Sequence, residues 1–302
     1  MISSTENPNI KKIIQLNQKT KARRTNGLFV AEGVKMFLEA PTERIYRVYL
    51  SESFHRECMA EEPADTTGGK GGLNSPEEAA RAAGGRGGLL SPENALNAAA
   101  REKLSQVSWE IVTDPVFGRM TDTVTPQGIL TVVRIPDRLP EEILRQAGGE
   151  PLYLILEAVQ DPGNLGTILR TAEGAGVNGV FLTKGCVDVT SPKVIRSTMG
   201  SIYRVPVMIV EDVAEARRLL SPLGVKLAAA HLGGKKAYDE VSYLGGTAFL
   251  IGNEARGLSE EAAAAADLLI RIPMAGQVES LNAAVSAAVL MYEAARQRRR
   301  KD

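Results

Sequence analysis

The chain has 302 residues, and at roughly 150 residues per domain this predicts about two domains with ample core. Hydrophobic residues make up 44% and charged ones 24%, an ordinary globular balance that excludes a wholly disordered or collagen-like chain. Lys plus Arg and Asp plus Glu both number 36, for a formal net charge of zero, so any nucleic-acid binding must come from locally concentrated basic residues.

Such residues are concentrated at both ends. The first 25 residues hold Lys11, Lys12, Lys19, Lys21, Arg23 and Arg24 against the single acid Glu6, and the chain closes with Arg296, Arg298, Arg299, Arg300 and Lys301. Cys58 and Cys186 are too few and too far apart for a disulfide framework or a Cys-based zinc site. His55 and His231 have no Cys or His partner nearby in sequence, so neither a metal site nor a His-based triad is expected, and each His is read as a surface or packing residue. With no signal-like N-terminus and no apolar run of about 18 residues, a cytoplasmic protein outside the membrane is expected.

In chain order, Asn9 to Leu16 reads as a short basic helix, GLFVAEGVKMFLEA as a strand running into a helix, and RIYRVYLSESF as a strand with its turn. SWEIVT and GILTVVRI have the β-branched runs of strands. Together these predict a small mixed α/β unit. Inside it, about residues 60 to 100 are rich in Gly and Ala and poor in large apolar side chains. This segment holds a near-repeat, GGLNSPEEA at Gly71 to Ala79 and GGLLSPENA at Gly87 to Ala95. Two copies are too few for a solenoid. Ser75-Pro76-Glu77 and Ser91-Pro92-Glu93 each read as a helix start, with Ser at the N-cap and Pro in the first turn.

Pro136, Pro140, Gly148, Gly149 and Pro151 mark a linker between about residues 135 and 150. The domains expected are residues 1–145 and 146–302. Beyond the linker, LYLILEAV, GVFLT, PVMIV, KLAAAHL, TAFLIGN and LLIRIP alternate with the helix-like TILRTAEGA, PKVIRSTMG, VAEARRLL and EEAAAAA. That alternation predicts an α/β fold with a mostly parallel sheet covered on both faces. The last helix is expected from Leu281 to about Arg300, with Leu281, Ala284, Val285, Ala288, Met291 and Tyr292 on one stripe and Ser280 as its cap.

In open α/β sheets ligands bind beyond the carboxyl ends of strands, which singles out three loops. DPGNLGTILRTA, Asp161 to Ala172, has Gly163 and Gly166 for a tight turn and opens a helix carrying Arg170. IGNEARGLS, Ile251 to Ser259, brings Gly252, Asn253, Glu254, Arg256 and Gly257, while IPMAGQVESLNAA, Ile272 to Ala284, leads into the last helix. Each loop alone has an ordinary explanation: Gly for a turn, Asn for a cap, Glu254 and Arg256 as a solvated pair. Their recurrence at one end of the predicted strands favours a site. GAGVNG, Gly174 to Gly179, fits the letters of the dinucleotide fingerprint, but it ends a helix and leads into a strand, the reverse of what that fingerprint needs. A nicotinamide-dependent oxidoreductase is set aside on that ground.

NLGTILRTA, FLIGNEARGLS and IRIPMAGQVESLNAAVSAAVLMYE, in this order, resemble the three motifs of the SpoU (TrmH-type) RNA 2′-O-ribose methyltransferases of the SPOUT superfamily, over about Leu152 to Glu293. FVAEGVKMFLEA resembles the start of that family's small substrate-binding domain. The resemblance implies an α/β catalytic domain with a deep trefoil knot and S-adenosylmethionine bound in it at Gly252, Ile272 and Leu281. It also implies a homodimer that brings Arg170 toward the partner's cofactor, and an active site of Asn164, Arg170, Glu254, Ser280 and Asn282.

Methyl transfer from a sulfonium to a ribose hydroxyl needs orientation above all and no metal. Arg170 suits stabilisation of alkoxide charge, whereas a guanidinium almost never gives up its proton. Its base role, proposed for the family, stands beside Glu254, Ser280 and Asn282 as alternatives. RNA affinity is expected from Lys11, Lys12, Lys19, Lys21, Arg23 and Arg24, with the C-terminal basic tail equally readable as a solvated face. An aromatic content of 5% argues against base stacking as the chief recognition device. Ribosomal RNA is preferred over tRNA as substrate; the alternative class is an RNA-binding assembly factor that has lost turnover. The Gly/Ala-rich segment departs from the family pattern and bears on RNA recognition, not on the chemistry.

Overall fold

The computed structural model describes residues 1–59, 92–136, 143–144 and 149–299. Ser75-Pro76-Glu77, Ser91 and most of the Gly/Ala-rich segment lie outside the described residues, while Pro92 and Glu93 are the first residues of a helix, Pro92–Leu104.

Two sheets organise the chain. The smaller runs β1 (Leu28–Glu32), β4 (Ile129–Arg134), β2 (Ile45–Ser51), β3 (Trp109–Val112) across its width. Its β1–β4 and β4–β2 pairs are antiparallel and its β2–β3 pair is parallel. Strand alternation loads both faces. Val30, Tyr49, Leu130 and Val132 pack under the helix Pro8–Gln18 through Ile10, Ile13 and Leu16. Phe29, Val48, Leu50 and Val133 form the opposite core with Phe37, Leu104, Ile195 and Tyr203. The turn expected after β2 instead opens a helix, Glu52–Met59, because the Ser51 hydroxyl accepts the Phe54 N–H at 3.1 Å and caps it.

The larger sheet has seven strands, all parallel, in the order β7 (Val207–Val210), β6 (Gly179–Thr183), β5 (Leu152–Leu156), β10 (Thr247–Ile251), β8 (Lys226–Ala230), β11 (Leu268–Arg271), β9 (Lys236–Ala237). Every residue of β5, β6 and β10 is buried, as continuous apolar strands inside a two-faced parallel sheet require. Leu152, Leu154, Leu156, Phe249 and Ile251 meet the helices Pro162–Gly174 and Ala283–Arg299 on one face. Tyr153, Ile155, Ala248 and Leu250 meet Val213–Leu220 and Glu260–Ala264 on the other. GAGVNG ends the helix Pro162–Gly174 and enters β6, with Gly176 at φ 73°.

Three local expectations are corrected. Gly163 and Gly166 are not in a turn: Asp161 caps the helix, Pro162 is its first residue, and both glycines lie inside it. Gly166 serves packing, since a Cβ there would sit 2.2 Å from the Ser197 Cβ on the neighbouring helix Pro192–Thr198. The last helix begins at Ala283, and its cap is Asn282, whose Oδ1 accepts the N–H groups of Ala284 at 2.8 Å and Val285 at 3.3 Å. Ser280 is therefore left for another use. Of the expected stripe, Ala284 and Met291 are buried while Val285 and Tyr292 are exposed.

The two sheets are locked together by charge. Arg23, expected on the RNA-facing arm, is only 3% exposed. Its Nε and Nη2 donate to Asp188 Oδ2 at 3.0 and 2.6 Å, Nε also reaches Thr190 Oγ1, and Nη1 donates to the Leu16 carbonyl at 2.7 Å. With its donors consumed inside the protein, Arg23 is removed from the RNA-contact set. Arg204 makes a second bridge, to Glu39 of the small sheet's helix Val34–Glu39 and to Glu173.

Candidate active site

The carboxyl ends of β5, β6, β8, β10 and β11 face one edge of the large sheet, and their loops are stitched together. Glu157 accepts Ser259 through both its N–H, at 2.8 Å, and its hydroxyl, at 2.7 Å. Asn253 Nδ2 donates to the Ala158 carbonyl at 2.8 Å, and Thr183 Oγ1 accepts the Ala158 N–H at 3.1 Å. These bonds hold Ala158 at φ 53°, a left-handed conformation that a non-glycine residue keeps only when its surroundings impose it.

Glu254 is the hub. Its carboxylate accepts the backbone N–H groups of Gln160 at 3.2 Å and Asp161 at 3.0 Å and the Asn164 side-chain amide at 3.0 Å. Asn164 Oδ1 in turn accepts from Asn282 Nδ2 at 3.0 Å. One residue from each of the three loops thus enters a single network. Desolvation pushes the Glu254 carboxyl up, but the Asn164 amide and the backbone donors outweigh it and hold the group below its ordinary value. A carboxylate so stabilised is a weak base, and its contacts hold Asn164 and the start of the helix Pro162–Gly174.

Beside this network lies a cavity of about 650 Å³, walled by Ile251, Gly252, Leu258, Ile272, Pro273 and Leu281 among others. This is ordinary small-molecule volume. Gly252, Ile272, Leu281 and Ser280 line it, as does Glu254. The cavity's floor tolerates no side chain at Gly252: a Cβ there would lie 2.2 Å from the Gly257 carbonyl carbon. Asn253 and Gly257 exchange two backbone hydrogen bonds of 2.9 Å, and Gly257 takes φ 69° to close that loop. Apolar walls for a nucleoside, Glu279 for a cation, and Arg256 and Arg271 for a carboxylate fit a zwitterionic, cationic cofactor such as S-adenosylmethionine.

Arg170 stands apart. It is exposed on the helix Pro162–Gly174 and is not among the residues lining its own chain's cavity. His231 was overlooked: expected on the surface or in packing, it lines the cavity, with Nδ1 accepting the Gly233 N–H at 3.0 Å. The signal was its place just beyond β8, the same strand-end rule that marked the other loops. His55 does pack, 5.5 Å from the Trp109 ring.

Around the basic arm, Lys11 pairs with Glu6, and Lys12 lies over the Tyr46 ring. Among the described residues the exposed side chains of Lys19, Lys21 and Arg24 make no ion pair. In the tail, Arg296 is held by Glu293, and Arg298 donates to the carbonyls of Tyr243, Pro151 and Gly245. Both serve the fold. Among the described residues no helix is long and apolar enough to cross a membrane, and no three His, Cys, Asp or Glu side chains form a metal-binding group.

The sequence model of the SpoU rRNA Methylase family matches residues 151–292, and that of the MRM3-like substrate binding domain matches residues 7–67. The chain is 31% identical to an uncharacterized tRNA/rRNA methyltransferase of Synechocystis over 98% of its own length and 93% of the relative's. It is 37% identical to the 23S rRNA (guanosine(2553)-2′-O)-methyltransferase RlmP of Bacillus subtilis, over 60% of this chain and 70% of that one. Among solved structures, the S-adenosylmethionine-bound rRNA methyltransferase of Sinorhizobium meliloti superposes with a TM-score of 0.73 at 27% identity, covering 98% of this chain and 97% of that one. With three motif loops in order joined by one hydrogen-bond network, and a full-length relative at this identity, the chain belongs to the SpoU family of RNA methyltransferases.

Proposed function

We propose that this protein transfers a methyl group from S-adenosylmethionine to a ribose 2′-hydroxyl of ribosomal RNA. The observation that carries this reading is the Glu254–Asn164–Asn282 network at the rim of the 650 Å³ cavity, which ties all three motif loops to one place. Bound cofactor would supply an activated methyl on a sulfonium, held by Gly252, Ile272 and Leu281.

The chain's own residues supply orientation. Glu254 fixes Asn164, and Asn282 both caps the last helix and closes the network, so the three loops keep one geometry without rearranging during reaction. Ser280, released from capping, offers to the same cavity a hydroxyl that can accept and donate a proton. Arg170 fits the site of a second subunit, where its guanidinium would stabilise developing alkoxide charge or hold a phosphate. A homodimer through the catalytic domain is supported by exposed Val285 and Tyr292, seven residues apart on the last helix, which packs against the helix carrying Arg170. A trefoil knot formed by the 252–258 and 272–282 loops belongs to the same reading, as does the division into an RNA-binding part, residues 1–145, and a catalytic part, residues 146–302.

Tritium transfer from labelled S-adenosylmethionine to unmodified ribosomal RNA and tRNA, followed by digestion to nucleosides, tests this directly. Label in a 2′-O-methylnucleoside from ribosomal RNA is expected, and Arg170→Ala should lose about 100-fold or more of the rate while retaining its fold. Label only in tRNA would move the substrate; no transfer to either RNA with cofactor binding intact would replace the enzyme by a non-catalytic assembly factor.

A further inference from the structure

Tyr46 is 45% exposed, although it lies in a strand whose neighbours Ile45 and Val48 are buried. The cause is a register shift between Ile45 and Arg47 against β4, a bulge that turns one side chain out of the alternation. Two cations from separate elements converge on the freed ring. Lys12 Nζ, from the helix Pro8–Gln18, lies 5.5 Å from the ring centroid, and Arg134 Cζ, from the end of β4, lies 5.3 Å from it. Strand period places Arg134 on the face of Leu130 and Val132, the face this helix covers. Its backbone is fixed as well, since the Arg134 carbonyl accepts Arg44 Nε at 3.2 Å and Nη2 at 3.1 Å.

Neither Lys12 nor Arg134 has a carboxylate partner among the described residues. Glu6, six residues before Lys12, is taken by Lys11, and among the described residues Glu43, three before Tyr46, makes no ion pair with either cation. Two like charges held against one ring repel each other, and a polyanion relieves that repulsion. The helix Pro8–Gln18 leads into Thr20–Asn26, whose Arg23 is bonded to Asp188 and Thr190 beyond β6. The arm is thus anchored at the edge of the large sheet where the motif loops lie.

We propose that Tyr46, Lys12 and Arg134 form a subsite for the phosphodiester backbone of the substrate RNA, the ring holding both cations in place for phosphate. This rests on the RNA-methyltransferase reading and names where that RNA is gripped. It also changes the meaning of the low aromatic content: one exposed ring serves as a platform for cations, not for bases.

The test is binding of in vitro transcribed ribosomal RNA across a salt series, for the full chain and three variants. Lys12→Ala/Arg134→Ala should flatten the slope of log affinity against log salt by about 0.7 to 0.9 for each phosphate no longer neutralised, and this substitution keeps the carbonyl that Arg44 uses. Tyr46→Leu should weaken binding about three- to fivefold, whereas Tyr46→Phe, which keeps the ring, should bind as the parent does. Unfolding temperature and calorimetric S-adenosylmethionine binding should be unchanged in all three. An unchanged salt slope in the double variant, with the parent binding RNA normally, overturns the subsite and leaves the enzyme reading standing. A parent chain that binds S-adenosylmethionine but no RNA at any salt concentration overturns both.

Discussion

The Arg23–Asp188 pair and the Glu254 network are built from the same materials, a carboxylate with several N–H donors, yet one lies inside the molecule and the other faces a cavity. In the first, a full positive charge sits 3% exposed and its donors are spent on Asp188, Thr190, Thr20 and main-chain carbonyls. In the second, the carboxylate accepts from neutral amides, and Glu254, Asn164 and Asn282 keep contact with solvent. A buried charge makes its partner indispensable to stability, because removal leaves the charge unsolvated. A solvent-facing network is cheap to break in stability and costly in geometry.

That contrast is broken most severely at Asp188. Asp188→Ala leaves the Arg23 guanidinium buried without its counterion, and equilibrium denaturation should report a loss of about 3–5 kcal/mol. The double variant Arg23→Met/Asp188→Leu removes both charges and should recover most of that loss. If the double variant were as unstable as the single one, shape and not charge would be holding the joint.

Glu254→Gln should reverse the pattern. Stability should fall by only about 1 kcal/mol, while methyl transfer drops about 100-fold because Asn164 and the Asp161 turn lose their anchor. The pH dependence sharpens the point. Since the ionised form of Glu254 is stabilised and its carboxyl held below the ordinary range, the rates of parent and variant should keep the same profile between about pH 6 and 9, the variant merely lower. A titration limb near neutrality that vanished in the variant would make Glu254 the base after all.

Acid stability separates the two regions more gently. Burial raises the Asp188 carboxyl, but hydrogen bonds from Thr190 and Arg23 outweigh it and hold the group below its ordinary value of 3.8. Its contribution is therefore complete above that value and is lost as pH falls through the lower folded value. Unfolding midpoints measured from pH 6 down to about 2.5 should decline in the parent, and Asp188→Asn should decline less steeply.

Much of this was legible in the chain. Continuous apolar runs such as LYLIL and TAFLI announced central parallel strands, and the loops after them announced the site, because both signals are local. What stayed hidden depended on distant partners. Arg23 reads as one more cation in a basic run, and only its counterion 165 residues away shows it to be structural. Gly166 reads as a turn residue until Ser197 is seen against it. Ser280 reads as the cap, but the helix starts at Ala283, so the cap position falls to Asn282, whose amide also reaches Asn164. Tyr46 was invisible for a related reason: a bulge is a mismatch between two strands, and no single strand records it.

The smallest effect is expected next door to the largest. Lys19, Lys21 and Arg24 are exposed on the arm that Arg23 anchors, so replacing all three with Ala should move stability by no more than about 0.5 kcal/mol each. The measurable change should be in RNA binding, with a shallower salt dependence and an unaltered affinity for S-adenosylmethionine. Arg23→Ala, one residue from Arg24, should behave in the opposite way, lowering the unfolding midpoint before any RNA is added. Were Arg24→Ala to destabilise the chain as Arg23→Ala does, the arm would be held by its whole charge and not by one buried pair. An unchanged salt slope in the triple variant would instead put the RNA on another face.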